Sequence, residues 1–257
     1  MTTQPTLNAP VSPHKPLSSD NRAVAADLPN LRARIAGDVL TILDRDYDEA
    51  RKLHDFSWDR RPLAIIRAAV SSDVAEAVRF AGDHKRPLAV RSGGHSVAGY
   101  SAPDGALVID LSGLRRVSID PVKRTARVQP GATSGDLAGP AHAYGLALST
   151  GDTSTVGVGG LTTGGGIGYM VRKFGLAIDN LISAEVVVAG GQVVRASTDE
   201  NPALFWAIRG GGGNFGIVTE FEFRMAEVGA VLGGAIVLPA TREVVRGYLD
   251  YIPTAPD

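Results

Sequence analysis

The stretch RSGGHSVAGYS, residues 91–101, sets two glycines directly before a histidine and dictates the path of the backbone around it. It follows KRPLAVR, a short apolar segment that predicts a β-strand. Glycine permits positive φ angles and lets backbone N–H groups approach a ligand, and successive inward N–H groups form an anion site that suits a pyrophosphate. The candidate binding residues of this loop are Arg91, Ser92, Gly93, Gly94, His95 and Ser96. An ordinary glycine-rich turn with a solvated histidine remains the alternative, because short motifs are often false positives.

A second glycine cluster lies in STGDTSTVGVGGLTTGGGIGYM, residues 149–170. A flexible linker is rich in glycine and serine and carries few apolar residues. Here valine, leucine, isoleucine and methionine alternate with the glycines, which favours a packed backbone pressed against a flat ligand. The glycines are Gly157, Gly159, Gly160, Gly164, Gly165, Gly166 and Gly168.

A third cluster, RGGGGNFGIVTEFEF, contains the pattern G-x-G-x-x-G at Gly211, Gly213 and Gly216. In a dinucleotide-binding βαβ unit this pattern follows a strand and opens a helix. Here a predicted helix precedes the glycines and a predicted strand follows them. The reversed order argues against a nicotinamide dehydrogenase.

Composition excludes several other classes of function. Lysine and arginine total 26 against 27 aspartate and glutamate, and this balance gives no indication of a nucleic-acid or membrane-surface partner. The chain contains no cysteine, so disulfides, thiol catalysis and thiolate metal sites are impossible. The five histidines are scattered, and we expect no metal site. The N-terminal segment lacks the pattern of a secretory signal, and no apolar run approaches a membrane span, so we expect a cytoplasmic protein.

The order of predicted elements indicates an α+β fold. We expect a mobile arm over residues 1–27 and a first helix over residues 28–43. A strand at residues 63–67 precedes a helix for which we expect Ser71 or Ser72 as the N-cap. Further on we expect hairpins that turn at Asp120-Pro121 and Gly190-Gly191, and a helix with Thr133 as N-cap. After Glu227, a strand in AVLGGAIVLP and an amphipathic helix in ATREVVRGYLDYI are expected.

Three long motifs together resemble the FAD-linked oxidase family, whose FAD domain is of the PCMH or vanillyl-alcohol-oxidase type. They are RSGGHSVAGYS, TVGVGGLTTGGGIGYMVRKFGLAIDNL and LFWAIRGGGGNFGIVTEFEF, and the similarity is greatest to the berberine-bridge-enzyme-like branch. The resemblance extends from about Tyr47 to the end of the chain. It implies an FAD-binding domain of two α+β subdomains over residues 28–226, followed at 227–257 by only the start of a substrate domain.

The resemblance also implies roles for individual residues. His95 matches the histidine that bonds covalently to the 8α-methyl carbon of FAD, and Thr153 occupies the position of a second, cysteine anchor. We therefore expect FAD attached through His95 alone. Val156 matches a position where a small side chain admits O2. The remaining expected FAD contacts are Gly157, Gly160, Thr163, Gly164, Gly168, Gly216, Ile217 and Val218.

The implied function is an oxidase that moves a hydride from a substrate C–H to FAD, which O2 reoxidises. The substrate is expected to be a small alcohol or amine, such as a sugar, an alkaloid or a polyketide. No catalytic base is identified, because Tyr100, Tyr169 and Asp152 are better explained by packing or turns. A non-catalytic, truncated flavin-binding remnant is the alternative. Apolar residues in 231–238 and 244–252 predict self-association.

Overall fold

Two apolar tetrapeptides, AIIR and LVID, form the centre of the first sheet. In the computed structural model, which describes residues 19–229, 231 and 233–255, they are strands β2 (Ala64–Arg67) and β4 (Leu107–Asp110). Both β2 and β3 (Leu88–Arg91) run parallel to β4, and β1 (Asp38–Leu40) pairs antiparallel with β2, so the strand order is β1-β2-β4-β3. Strand β4 is buried along its whole length, as expected for a strand covered on both faces.

Helices α1 (Ser19–Arg32) and α3 (Ser71–Asp83) cover this sheet, and the short α2 (Tyr47–Ala50) packs beside it. The N-cap position of α3 is Val70, not Ser71 or Ser72, so the predicted cap was wrong. The carboxylate of Asp73 performs the capping instead. It is 2% exposed and accepts hydrogen bonds from the N–H groups of Ala36, Gly37, Ala69 and Val70 at 2.9, 3.1, 2.9 and 3.3 Å.

The second subdomain is an antiparallel sheet of five strands in the order β5-β6-β10-β8-β9. Its core contains the stacked rings of Phe221 and Phe223. The strands are β5 (Val117–Asp120), β6 (Thr125–Val128), β8 (Leu181–Val187), β9 (Val193–Ser197) and β10 (Ile217–Arg224). A separate pair joins β7 (Leu146–Ala147) to β11 (Ala226–Glu227).

The helices of this subdomain are α4 (Ser134–His142), α5 (Val158–Thr163), α6 (Val171–Phe174) and α7 (Pro202–Ile208), with 3-10 turns at Ala177–Asn180 and Gly212–Asn214. The predicted hairpins β5-β6 and β8-β9 are confirmed. Thr133 caps α4 as predicted, accepting a hydrogen bond from the N–H of Asp136 at 3.2 Å. Two subdomains of helix and sheet give the α+β class that was expected.

The N-terminal elements differ from the prediction. Helix α1 occupies residues 19–27 of the expected arm, with Val24 and Leu28 buried in the core. Residues 1–18 lie outside the described part of the chain. The helix expected over residues 28–43 ends at Arg32 and gives way to β1, because Asp73 binds the N–H groups at residues 36 and 37. The helical spacing of apolar residues does not reveal that a distant residue, Asp73, binds these backbone N–H groups.

The C-terminal segment projects apolar side chains into solvent. Helix α8 (Arg242–Tyr251), followed by a 3-10 turn at Ile252–Thr254, is confirmed. The strand expected in AVLGGAIVLP is wrong, because residues 231 and 233–240 form no regular element. A strand needs a neighbour for its backbone hydrogen bonds, and the described part of the chain provides none there. Ile236 and Val237 are 87% and 92% exposed.

Among the described residues, no helix combines the length and the apolar character needed to cross a bilayer.

Candidate cofactor-binding site

A cavity of about 640 Å³ lies between the two sheets, within the range of about 300–1,000 Å³ that is usual for small-molecule sites. Three segments wall it: the loop after β3, the second glycine cluster, and the third cluster with the start of β10. These are the three motifs that the sequence singled out. The fold therefore brings glycine-rich segments from distant parts of the chain to one place.

The first two glycine clusters touch through their backbones. A Cβ atom on Gly93 would overlap the backbone nitrogen of Gly157, and one on Gly157 would overlap the Ser92 hydroxyl and the Gly93 nitrogen. Gly94 has a φ of 70°, a left-handed conformation that glycine adopts without strain. Residues with side chains could not bring these two loops so close together.

The loop leaves backbone donors free at the cavity. Within the described part of the chain, no backbone carbonyl accepts a hydrogen bond from the N–H groups of residues 93–96. The Ser92 hydroxyl, by contrast, donates to the Pro130 carbonyl at 2.6 Å. The glycine backbone thus offers adjacent unpaired donors beside an apolar chamber. Such a chamber fits the pyrophosphate and the flat ring of a flavin dinucleotide.

His95 lines this cavity between two other side chains. Its Nε2 lies 3.2 Å from the hydroxyl of Thr155, and its ring stacks on that of His54 with centroids 3.9 Å apart and planes inclined by 21°. Burial lowers the pKa of His95 below its ordinary 6.5, and the charge of His54 lowers the pKa further. A main-chain interaction with Thr155 acts in the opposite direction. The imidazole is therefore mostly neutral near pH 7, with a lone pair available for bonding.

The structure brings most of the predicted residues together. The cavity is lined by Ser92, Gly93, Gly94, His95, Ser96, Val156, Gly157, Gly160, Thr163, Gly164, Gly216, Ile217 and Val218. Two of them come from β10, which contacts the cavity through its first residues.

Three predicted residues do not line the cavity. Arg91 turns its guanidinium behind the loop, where it donates to the Ala50 carbonyl. Thr153 is exposed and donates to the Asp152 carboxylate at 3.0 Å. Gly168 packs against the backbone of Gly151. Arg91 and Gly168 thus support the site from outside, and Thr153 faces solvent.

Sequence reasoning missed His54 and Thr155, the two neighbours of His95. Thr155 directly precedes Val156, so its place in the second cluster was a usable signal. His54 lies in a segment without glycine, and nothing in the local sequence points to the cavity. Gly159, Leu161, Gly166 and Ile167 also line the cavity and lie in the second glycine cluster that was predicted to contact the ligand. The lining residues that were not predicted are Val90, Ser101, Leu111, Pro130, Gly213 and Phe221.

The part of the chain that the structure describes contains no group of three or more His, Asp or Glu side chains close enough to hold a metal ion.

Comparison with known proteins agrees with this geometry. Residues 62–197 match the family model described as an FAD binding domain. The chain is 40% identical over 220 residues to (R)-6-hydroxynicotine oxidase of Paenarthrobacter nicotinovorans, covering 86% of this chain and 45% of that protein. It is 42% identical over 193 residues to xylooligosaccharide oxidase of Thermothelomyces thermophilus, covering 73% and 39%.

A solved structure shares the fold. Glucooligosaccharide oxidase from Acremonium strictum, described with a 6-S-cysteinyl, 8α-N1-histidyl FAD, superposes with a TM-score of 0.70 at 35% identity, over 82% of this chain and 43% of that one. The chain thus spans less than half the length of these relatives. The matched family model, the relatives and the shared fold together establish that the chain belongs to the FAD-linked oxidase family and carries its FAD-binding domain.

Proposed function

We propose that the chain holds FAD in this cavity by a single covalent bond from His95 and serves as the cofactor half of an oxidase. The complete protein would move a hydride from a substrate C–H bond to the flavin and use O2 to reoxidise it. The observation that carries this proposal is the position of the His95 imidazole, which lines a chamber walled by glycine backbone.

The residues around His95 suit bond formation through Nδ1. When Thr155 accepts a hydrogen bond from Nε2–H, the lone pair of the neutral ring lies on Nδ1. That nitrogen corresponds to the N1-histidyl linkage of glucooligosaccharide oxidase. In the net reaction Nδ1 would bond to the 8α carbon as that carbon loses one proton and the imidazole loses another. The two protons and two electrons would be held by the flavin until O2 accepts them as hydrogen peroxide.

Attachment at a second point is impossible through sulfur, because the chain has no cysteine. The resemblance aligns Thr153 with the second anchor of doubly attached relatives, and a threonine hydroxyl does not replace a thiolate as a nucleophile near neutral pH. The glucooligosaccharide oxidase has both linkages. We therefore propose a singly attached flavin in this protein.

The remaining cavity residues would contact different parts of FAD. The unpaired N–H groups of residues 93–96 would hold the pyrophosphate, while Gly216 and the first two residues of β10 would contact the adenosine half. Val156 would lie beside the ring, where its modest volume leaves room for O2. FAD supplies the redox chemistry when bound, and the chain supplies orientation and electrostatics.

The substrate class follows from the relatives only in outline. One acts on a hydroxynicotine and another on a xylooligosaccharide, as their names state. We propose a small molecule that carries an oxidisable amine or alcohol. Residues 227–257 would begin the substrate domain, whose remainder corresponds to the length that the relatives have and this chain lacks.

Acid precipitation tests the proposal directly. The chain is produced with FAD, precipitated with trichloroacetic acid and washed, and the flavin absorbance of the pellet is measured. We expect yellow colour in the pellet of the unaltered chain and in the supernatant of His95→Ala. Colour released from both proteins would eliminate a bond at His95. A folded chain that takes up no flavin at all would eliminate the FAD site.

The second candidate, a chain that binds flavin without turnover, is consistent with one specific feature. Most of the apolar side chains at residue 231 and residues 233–252 are exposed, and a complete substrate domain would cover them. Release of hydrogen peroxide from any amine or sugar substrate, measured with a peroxidase-coupled dye and His95→Ala as control, would eliminate this candidate.

A further inference from the structure

His54 and His95 lie in different segments of the first subdomain, and their rings stack on each other. His95 lies in the loop after β3, and His54 lies in the segment between α2 and β2. The ring centroids are 3.9 Å apart and the planes are inclined by 21°. A flat side chain on one face and the Thr155 hydroxyl at Nε2 together leave the His95 ring little freedom to rotate.

The segment that carries His54 is fixed along the loop that carries His95. The His54 N–H donates to the Gly94 carbonyl at 3.1 Å. The indole of Trp58 donates to the Val97 carbonyl at 2.8 Å, and the guanidinium of Arg60 donates to the Gly99 carbonyl at 2.9 Å. Three successive anchors hold residues 54–60 against residues 94–99. The stack is therefore a consequence of the fold at this point.

The Trp58 ring adds a packing contact to these hydrogen bonds. A Cβ atom on Gly99 would lie 2.8 Å from the Trp58 ring, so the two segments are matched in shape. Behind the loop, Arg91 donates to the Ala50 carbonyl just before the His54 segment. The Trp58 contact joins the same two segments, the Arg91 hydrogen bond joins the residues just before them, and the two contacts together leave His54 facing His95.

We propose that His54 is a positioning residue for the covalent attachment of FAD: its ring, stacked on the His95 imidazole, fixes the orientation in which that imidazole meets the cofactor. This inference deepens the proposed function and rests on it. His54 forms no bond to the cofactor in this scheme. The electrons and protons move as described above for His95.

A positive charge on His54 lowers the pKa of His95, so we expect flavin attachment to depend on pH through this pair. Two imidazolium rings in a stack repel each other, so the first proton bound disfavours the second. The charged or polar groups around the pair are the Asp55 carboxylate next to His54, Thr155 at Nε2 of His95 and the guanidinium of Arg91 behind Gly94. Only His54 faces the His95 ring directly among the titratable residues that the structure describes.

Two substitutions at His54 separate ring packing from charge. His54→Phe keeps a flat ring against His95 and removes the charge, whereas His54→Ala removes both. His142→Ala is the matched control, because His142 is an exposed histidine in α4 outside the site. Each apoprotein is mixed with FAD at pH 6 and at pH 8, and the acid-stable flavin is followed over time. Non-covalent binding of FAD is measured in parallel on variants that carry His95→Ala.

We expect His54→Ala to slow attachment by about tenfold to a hundredfold at both pH values, since small misplacements of a reacting group cost rates of this order. His54→Phe should react at the rate of the unaltered chain at pH 8 and at least about threefold more slowly at pH 6, because the His95 ring then protonates more readily. His142→Ala should match the unaltered chain throughout. Non-covalent FAD affinity should stay within about threefold in every variant.

The inference would be overturned if His54→Ala attached FAD at the rate of the unaltered chain. It would also be overturned if His54→Ala lost covalent attachment and non-covalent FAD binding to the same extent, because that result indicates a structural role alone. An independent readout is the NMR titration of the His95 ring in the apoprotein, where His54→Phe should raise its pKa. An unchanged His95 pKa would overturn the charge coupling. If the unaltered chain binds FAD but never attaches it, the proposed covalent bond fails, while the titration still decides whether His54 controls His95.

Discussion

Gly93 and Gly157 meet backbone to backbone, so that a single added carbon on either residue would overlap the main chain of the other. The contact joins the loop after β3 of the first subdomain to the start of α5 in the second. It closes one wall of the cavity and sets the distance between the His95 loop and the second glycine cluster. The two subdomains therefore meet where the cofactor site is formed.

Gly157→Ala should separate these loops. The residue has a φ of −71° and a ψ of 132°, which alanine adopts readily, so the effect arises from overlap alone. Overpacking of this kind costs about 1–3 kcal/mol, and FAD uptake should fall with it. Urea unfolding and flavin fluorescence quenching measure the two effects.

Gly82→Ala is the matched control for that substitution. Gly82 lies inside α3, and a Cβ atom there meets nothing within 4 Å. Alanine in a helix interior stabilises by about 0.5–1 kcal/mol relative to glycine. If both substitutions lowered stability alike, the close approach of Gly93 and Gly157 would not be what matters.

Thr155→Val should slow flavin attachment without weakening FAD binding. Valine keeps the shape of the side chain but removes the hydroxyl that contacts Nε2 of His95. Loss of one hydrogen bond worth about 1 kcal/mol corresponds to a roughly fivefold slower reaction. The rate of appearance of acid-stable flavin measures it, and Thr155→Ser, which retains the hydroxyl, should react normally. An equal loss in the serine variant would point to packing by the methyl group.

The pH dependence of attachment should report the lowered pKa of His95. The neutral ring is the reactive form, so the rate rises with pH and levels off above the pKa. Because burial and the charge of His54 lower that pKa, the half-maximal rate should fall below pH 6.5. The same shift means that the unfolded chain binds a proton more readily than the folded one, so this group makes the fold less stable as pH falls through 6.5. A midpoint above pH 7 would contradict the environment seen here.

Asp73 should be one of the most sensitive positions in the first subdomain. Its carboxylate satisfies four backbone N–H groups that come from two separate segments. Asp73→Ala would leave these buried donors unpaired, and we expect a loss of at least about 2 kcal/mol in the free energy of unfolding. Chemical denaturation monitored by circular dichroism measures the loss. Asp83→Ala, at the exposed end of the same helix, should be within about 0.5 kcal/mol of the unaltered chain.

The sequence revealed the parts of this fold that depend on local rules. The N-cap of α4 at Thr133 and the hairpin turns at Asp120-Pro121 and Gly190-Gly191 could be predicted, because these signals act between residues that are close in the chain. The density of glycine predicted the cavity walls, since close backbone approach excludes side chains. The cap supplied by Asp73 and the stack of His54 on His95 depend on tertiary contacts between distant segments. No periodicity or spacing in the sequence encodes such contacts.

The C-terminal segment also shows that local sequence does not determine tertiary contacts, because here the sequence predicted a strand that does not form. Its run of apolar residues has the composition of a strand, and the sequence was interpreted as one. Strand formation also requires a partner edge, which the described residues do not offer at 231–240. Helix α8 forms because its hydrogen bonds are internal, and its apolar side chains remain outside.

Helix α8 should drive self-association of the isolated chain. Val245, Leu249 and Ile252 lie on one face and are 50%, 61% and 40% exposed, an apolar stripe of the kind that soluble monomers seldom leave open. We expect the apparent mass by sedimentation velocity to rise with protein concentration. Leu249→Asp should suppress this rise, because a carboxylate on the stripe opposes its burial. Gly247→Asp adds the same charge away from the stripe, where a side chain meets nothing within 4 Å, and should leave the association intact. A chain that stays monomeric at every concentration, or equal suppression by both variants, would show that the exposed stripe is not the surface that associates.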